Sequence, residues 1–251
     1  MTVKTASDIQ LMTKTCQLAA QTLVHVGKFV RPGITTDELD KIVYDYTLSN
    51  DARPSPLNYH GFPKSVCTSV NEVICHGLPG SYVLQEGDIL NIDVTTYKHG
   101  FHGDTSGMFV VGNVSDKAKE IIEVARTARD RGVEAITPFG TVGDIGYEIN
   151  KYVTRKGYHV VKEIGGHGIG REFHEDPWVP SFGKKGRGDK LIPWGTLTVE
   201  PMINETAVPI KEIAIPNSTI KYYETGDKTL SAQFEHTVLI TDIGYEVLTL
   251  P

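Results

Sequence analysis

The sequence predicts a duplicated α/β domain in which two halves, each running helix, helix, strands, pack about a pseudo-dyad. Three observations carry that prediction. Motifs of the first half recur in the second at an offset of about 107: Gly33 with Gly140, Asp37 with Asp144, His60 with His167, and Asp93 with Glu200. Helix-type and strand-type hydrophobic patterns follow one another in the same order in both halves. A strand-like run in each half ends on an acid, in "GDILNID" and in "GTLTVE". The 251 residues, 39% hydrophobic and 22% charged, suffice for one domain over 1–251, with halves at about 5–112 and 113–251.

The elements follow in order. Ser7-Asp8 opens an apolar-periodic stretch through Ile9, Leu11, Leu18, Ala19 and Leu23, with Gln10 three residues after Ser7 as a capping-box partner. The second helix starts at Gly33 in "GITTDELDKIVYDY". The runs Ile89-Leu90-Asn91-Ile92 and Met108-Phe109-Val110-Val111 flank "TTYKHGFHG" and read as two strands joined by a turn. Asp93 closes the first and Asp104 opens the second. In the second half, Ser115-Asp116 opens a helix through Ile121, Ile122, Val124, Ala125 and Val133, and "GTVGDIGYEINKYV" supplies the fourth. The strand "YHVVKEI" leads to "GGHGIG", and "SAQFEHTVLITD" sets Glu235 ahead of Val238-Leu239-Ile240. Glu235 lies 131 residues after Asp104, so the second hairpin carries an insertion, "NETAVPIKEIAIPNSTIKYYETGDK".

Composition narrows the class. With 25 Lys and Arg against 31 Asp and Glu, the net charge of −6 is not that of a polyanion binder. Lys184, Lys185, Arg187 and Lys190 form one basic stretch, read as a solvated loop. The start "MTVKTASDIQ" has no apolar core of a signal peptide, and no apolar run approaches a membrane span. Cys16, Cys67 and Cys75 are few, odd in number and without zinc spacing, as suits a reducing cytosol. The expectation is a cytoplasmic protein with no membrane partner.

If the halves meet about a dyad, Asp93, Asp104, Glu200 and Glu235 converge on central strands. Four buried carboxylates coexist only if cations neutralise them. His167 stands in "EIGGHGIGREFHEDP", where flanking glycines let the backbone approach a site, and His174 follows seven residues on. "GGHGIG" lacks the lysine-hydroxyl pair of a phosphate loop and opens no evident helix. A single buried histidine is more often satisfied by hydrogen bonds than by a metal. Four acids and an imidazole together form a hard, oxygen-rich set suited to manganese, iron, cobalt or catalytic zinc. Four carboxylates exceed the needs of one ion and point to a bridged pair able to support hydrolysis of a peptide bond.

In this order and context, Asp93, Asp104, His167, Glu200 and Glu235 resemble the five metal ligands of the type I methionine aminopeptidases. The flanking text agrees: "LNYHGFPKSVCTSVNEVICHGLP", "LNIDVT", "FHGDTSGMF", "GGHGIG", "FHE", "VEPM" and "SAQFEHT". The resemblance spans about residues 55–240. It implies the pita-bread fold, with a central, mainly antiparallel sheet around a dinuclear site, and removal of the initiator methionine from nascent proteins whose second residue is small. It implies two divalent ions (cobalt, manganese, iron or zinc) bridged by a hydroxide that attacks the scissile carbonyl. Asp93 would hold one ion, His167 and Glu200 the other, with Asp104 and Glu235 bridging and Glu200 as general base. Thr95 would support the Asp93-side ion through water. His76 and His174 would contact the substrate and stabilise growing charge, and Tyr59, Phe62, Cys67, His76 and Phe173 would form the methionine pocket. Asn71, Val73 and Ser231 would adjoin a monovalent cation. The implied partners are the N-terminal methionine of nascent polypeptides and, transiently, the ribosome, for a monomeric enzyme.

Two departures bear on selectivity. Pro56 stands where many relatives place a small or sulfur-bearing residue, and Lys221-Tyr222-Tyr223 where relatives often carry a tryptophan. The long insertion of the type II enzymes and a zinc-finger extension are both missing from this text. The competing enzyme is a prolidase or aminopeptidase P, whose usual extra N-terminal domain finds no room in 251 residues. The competing non-enzyme is an interaction protein of the same fold that has lost its ligands, against which stand five acid or imidazole positions.

Overall fold

The computed structural model describes residues 1–251. Two helices lead the first half, α1 (Ala6–Gly27) and α2 (Thr36–Ser49). The strands β1 (Arg53–Pro54), β2 (Cys67–Val70), β3 (Val73–Cys75), β4 (Ile89–Lys98) and β5 (Phe101–Val110) follow. The second half opens on α3 (Asp116–Glu134) and α4 (Val142–Arg155). Short strands come next: β6 (His159–Val160), β7 (Gly166–Gly168), β8 (Glu175–Val179), β9 (Thr196–Val199) and β10 (Met202–Asn204). The chain ends through β11 (Lys211–Ala214), β12 (Lys221–Glu224), β13 (Ser231–Gln233), β14 (Glu235–Ile240) and β15 (Tyr245–Val247).

Each helix begins on a hydroxyl cap that satisfies otherwise orphaned backbone N–H groups. Thr5 with Asp8 forms a capping box on α1, so the helix starts two residues earlier than a Ser7–Gln10 box would place it. Thr35 with Glu38 and Thr141 with Asp144 cap α2 and α4, and Ser115 caps α3. The two boxes at α2 and α4 show the repeat slipping by one residue: Asp144 closes its box, whereas Asp37 pairs with Lys64 and leaves that role to Glu38.

A nine-stranded antiparallel sheet joins the halves in the order β1-β4-β5-β14-β9-β7-β8, with β2 on β4 and β15 on β14. The contact between β5 and β14 is where the halves meet. Strand alternation then sorts the residues. Leu90, Ile92 and Val94 of β4 join Ala19, Val26, Leu39 and Val43 of α1 and α2 in one core. Leu197, Val199, Val238 and Ile240 join Ile121, Ala125, Ile145 and Ile149 of α3 and α4 in another. Gly103 lets α1 lie directly on β5, since a Cβ there would sit 2.7 Å from the Cys16 backbone. The intervening residues Asp93, Asp104, Glu235 and, just past β9, Glu200 line a common cleft instead.

The insertion is no loose loop. Its strands β11 and β12 form a hairpin whose second strand pairs with β3 of the first half, Tyr223 opposite Cys75. No helix is long and apolar enough to cross a membrane.

Candidate active site

Sheet register builds the floor of the site. Asp93 on β4 lies opposite Ser106 on β5, and Ser106 lies opposite Glu235 on β14, so one row across three strands carries two acids at its ends. Asp104 sits two rows along, opposite Thr95, whose hydroxyl donates to Asp104 Oδ1 at 2.7 Å. Thr95 therefore touches Asp104 directly. The potential ligand atoms of Asp104, His167 and Glu235 lie within 4.8 Å of one another. His167 Nε2 is 3.7 Å from Asp104 Oδ2 and 3.7 Å from Glu200 Oε1.

His167 is fixed at both ends. Its backbone N–H donates to Thr198 Oγ1 at 3.0 Å, and its ring Nδ1–H donates to the Gly168 carbonyl at 2.8 Å. That bond sets the tautomer and turns the free lone pair of Nε2 toward the acids. Glu200 is oriented by Thr198 Oγ1 at 2.8 Å and Gln233 Nε2 at 3.2 Å. Thr198 and Gln233 escaped the sequence reading. Their signal is positional: Thr198 stands two residues before Glu200, and Gln233 two residues before Glu235.

The electrostatics of the bare acids are unfavourable. Burial pushes Asp93 up to about 7 and Glu200 up to about 8. Burial, then the neighbouring carboxylates, drives Asp104 and Glu235 well above the ordinary carboxylate range. Asp93 Oδ1 and Glu235 Oε1 are buried with no hydrogen-bond partner. Orphaned carboxylate oxygens converging with a lone imidazole nitrogen are what divalent cations require, and the donor set fits such ions. Burial also holds the imidazoles neutral, His167 near 4 and His174 near 3.

Above this floor lies a cleft of about 320 Å³. It is lined by Asp93, Thr95, Asp104, His167, Glu200 and Glu235 below, and by Tyr59, Phe62, Cys67, His76, Phe173 and His174 on its walls. Every residue that the sequence assigned to ligand or pocket thus faces one cavity. Among the contacts that cross between the halves, two lie on the wall of the cleft. The Tyr59 hydroxyl meets His174 Nδ1 at 2.8 Å, and His76 Nδ1 meets the Lys221 carbonyl at 3.0 Å. Phe173 stacks among Tyr59, His102 and His174, with ring centroids 4.9, 5.4 and 4.3 Å away.

The sequence pattern described as metallopeptidase family M24 matches residues 10–242. The chain belongs to metallopeptidase family M24. Membership makes it a metal-dependent hydrolase of peptide bonds. The methionine aminopeptidase of Rickettsia prowazekii is 44% identical over 252 residues, taking in 100% of this chain and 96% of that protein. That of Escherichia coli strain K12 is 42% identical over 252 residues, 100% of this chain and 94% of its own. The crystal structure of the Rickettsia prowazekii methionine aminopeptidase matches with a TM-score of 0.96 at 42% identity, covering 100% of both chains. At that overlap the M24 fold here is the pita-bread fold.

The departures from the M24 relatives also find their places. Pro56 lines the cleft, as does Ile220, while Lys221-Tyr222-Tyr223 is taken up in β12, Tyr223 meeting the ring of His76 edge-on at 6.1 Å. His60, the repeat partner of His167, is exposed, and its carbonyl accepts from Thr219 N–H. The basic stretch is an exposed loop in which Lys185 pairs with Glu148. Asn71, Val73 and Ser231 adjoin, with Ser231 N–H on the Asn71 carbonyl at 2.9 Å.

Proposed function

We propose that this M24 peptidase is a methionine aminopeptidase that removes the N-terminal methionine of nascent chains whose second residue is small. One observation carries the reading: four acids, Asp104 and Glu235 buried and Asp93 and Glu200 partly so, converge with the Nε2 of His167 on the floor of an aromatic-walled cleft the size of one side chain and a peptide bond. Asp93 would hold one divalent ion and His167 and Glu200 the other, with Asp104 and Glu235 available to both. Cobalt, manganese, iron or zinc bound there supplies a nucleophile from water at neutral pH and polarises the scissile carbonyl.

The chain's own residues do the rest. Glu200, oriented by Thr198 and Gln233, takes the proton of the attacking water. The Tyr59 hydroxyl engages Nδ1 of His174 and leaves Nε2 to face the substrate; with the hydroxyl as donor in that contact, Nε2 would carry the proton and donate to the oxygen that gains charge. His76, whose Nδ1–H donates to the Lys221 carbonyl, also lines the cleft and turns the lone pair of Nε2 toward the substrate as an acceptor. Tyr59, Phe62, Cys67, His76 and Phe173 receive the methionine side chain, whose thioether gains from aromatic contact. An enzyme acting on nascent chains would work in the cytoplasm, as a monomer in passing contact with the ribosome. A monovalent cation beside Asn71, Val73 and Ser231 would brace β3 and β13.

Chelation followed by re-addition of single metals, assayed on Met-Ala, Met-Gly, Met-Lys, Met-Phe and Ala-Pro peptides, tests the reading. Metal-dependent release of methionine from the first two, and poor turnover of the others, is expected. Equal rates across the set, or preference for Ala-Pro, would sink it.

A further inference from the structure

The segment ahead of α1 belongs to the first half, yet it is tied to the loop that carries Phe173 and His174 in the second. Lys4 is the tie. Its side chain is only 4% exposed, and its ammonium lies 3.6 Å from Glu175 Oε2, itself 11% exposed. No hydrogen bond reaches that carboxylate oxygen, so the ammonium is its sole close partner. The other oxygen of Glu175 accepts the Glu172 N–H at 3.3 Å, closing a small ring around Phe173 and His174.

Around this pair the backbone is cut to fit. A Cβ on Gly170 would lie 2.6 Å from Glu175 Oε1 and 2.8 Å from Lys4 Nζ, so only glycine leaves room for the pair. Lys4 is held in turn, its backbone N–H on the Trp194 carbonyl at 2.9 Å and its Nζ on the Thr2 carbonyl at 3.2 Å. A second tie runs beside it: Asp8, which closes the capping box of α1, also accepts from Arg171 at 2.8 Å. The exposed Arg171 pair adds little by itself, because solvent screens it. The buried Lys4 pair differs, since losing either member leaves an uncompensated charge inside the protein.

We infer that Lys4 is a positioning residue: by gripping Glu175 from the opposite half, it fixes residues 170–175 so that Phe173 walls the pocket and His174 meets the substrate. The inference rests on the role given to His174 above. It assigns the segment before α1 a part in turnover that its distance in sequence from every other site residue conceals. Displacing a working group by about 1 Å can lower a rate by about 10²-fold.

Lys4→Met keeps the length of the side chain and removes the charge, and Lys4→Arg restores a cation. Each is compared with the parent, His174→Ala and Glu175→Gln in the metal-loaded enzyme. Measured are kcat and KM on Met-Ala peptides, metal binding by titration, and amide exchange over residues 166–178. Lys4→Met should speed exchange there and lower kcat about tenfold. KM should change little and metal binding stay unaltered, while Lys4→Arg recovers part of the rate. Combined with Glu175→Gln, the loss should be less than the product of the single losses, as for two members of one contact. Unchanged exchange, or faster exchange with kcat intact while His174→Ala loses rate, overturns the role of Lys4 and leaves that of His174 standing. If His174→Ala also keeps its rate, the reading of the active site itself fails.

Discussion

The hydroxyl of Tyr59 and Nδ1 of His174 lie 2.8 Å apart, one on a turn of the first half and the other on a loop of the second. The contact closes the cleft between the halves and orients the imidazole. His174→Ala removes a donor that acts mainly as the tetrahedral centre forms, so kcat should fall about 10²–10³-fold with KM and metal content near normal. Tyr59→Phe removes only the orienting hydroxyl and should lose roughly 10–100-fold, the range for groups that orient a working imidazole. Steady-state kinetics with metal titration decides; metal loss in His174→Ala would show that this residue is a ligand instead.

His167→Ala should fail differently. Nε2 is the only nitrogen among the converging donors, and Thr198 and Gly168 hold it in place. Without it the metal should bind more weakly and the rate fall with it, and excess metal should restore part of both. Titration of metal into His167→Ala and His174→Ala separates the two roles. Indifference of the His167→Ala rate to added metal would count against ligation.

The acids and His167 were legible in sequence because duplication and strand alternation put them at fixed places: an acid at the tip of each matched strand must face its counterpart once the strands share a sheet. The crossing contacts were not. His76 leans on Lys221, and Lys4 grips Glu175, across 145 and 171 positions of chain, and nothing in local periodicity couples such residues. The strands of the insertion were not legible because neither buries an alternate face: β11 is exposed at Lys211, Glu212 and Ala214, and β12 is at least partly exposed throughout. Pairing with β3, not burial of a face, makes the insertion a hairpin. The start of α1 was missed by two residues because Ser7 and Thr5 are both competent caps, and only the position of Asp8 chooses between them.

Cys67 should prove a wall of the pocket. It is opposite Asp93 in the β2–β4 register, and burial followed by the nearby carboxylate raises its thiol well above the usual range. A thiol so held is not a thiolate at neutral pH and is no nucleophile. Cys67→Ser should keep substantial activity while altering preference between methionine and its isosteres. Complete loss of turnover with metal content intact would contradict the metal-dependent reading.

The crowded acids also dictate how stability without metal depends on pH. In the metal-free fold, Asp93 keeps its proton to about 7 and Glu200 to about 8, whereas unfolding returns them toward 3.8 and 4.5. Over that window the native state binds more protons than the unfolded state, so stability declines as pH rises. The buried histidines work in the opposite direction. His167, His174, His102 and His236 are held near 3 to 4 against 6.5 when unfolded, so they add stability as pH rises through that lower range. The two sets oppose each other below about pH 6.5, and above it only the acids remain. The metal-free protein should therefore lose thermal stability steadily between about pH 6.5 and 8.5. Bound metal reverses the trend, because the cations displace those same protons and bind more tightly as pH rises. Melting curves of chelated and reloaded protein across that range should show a gap in Tm that widens with pH. A gap that narrows, or a metal-free Tm that climbs, would mean that the acids at the floor of the cleft do not carry the charge problem that the metals resolve.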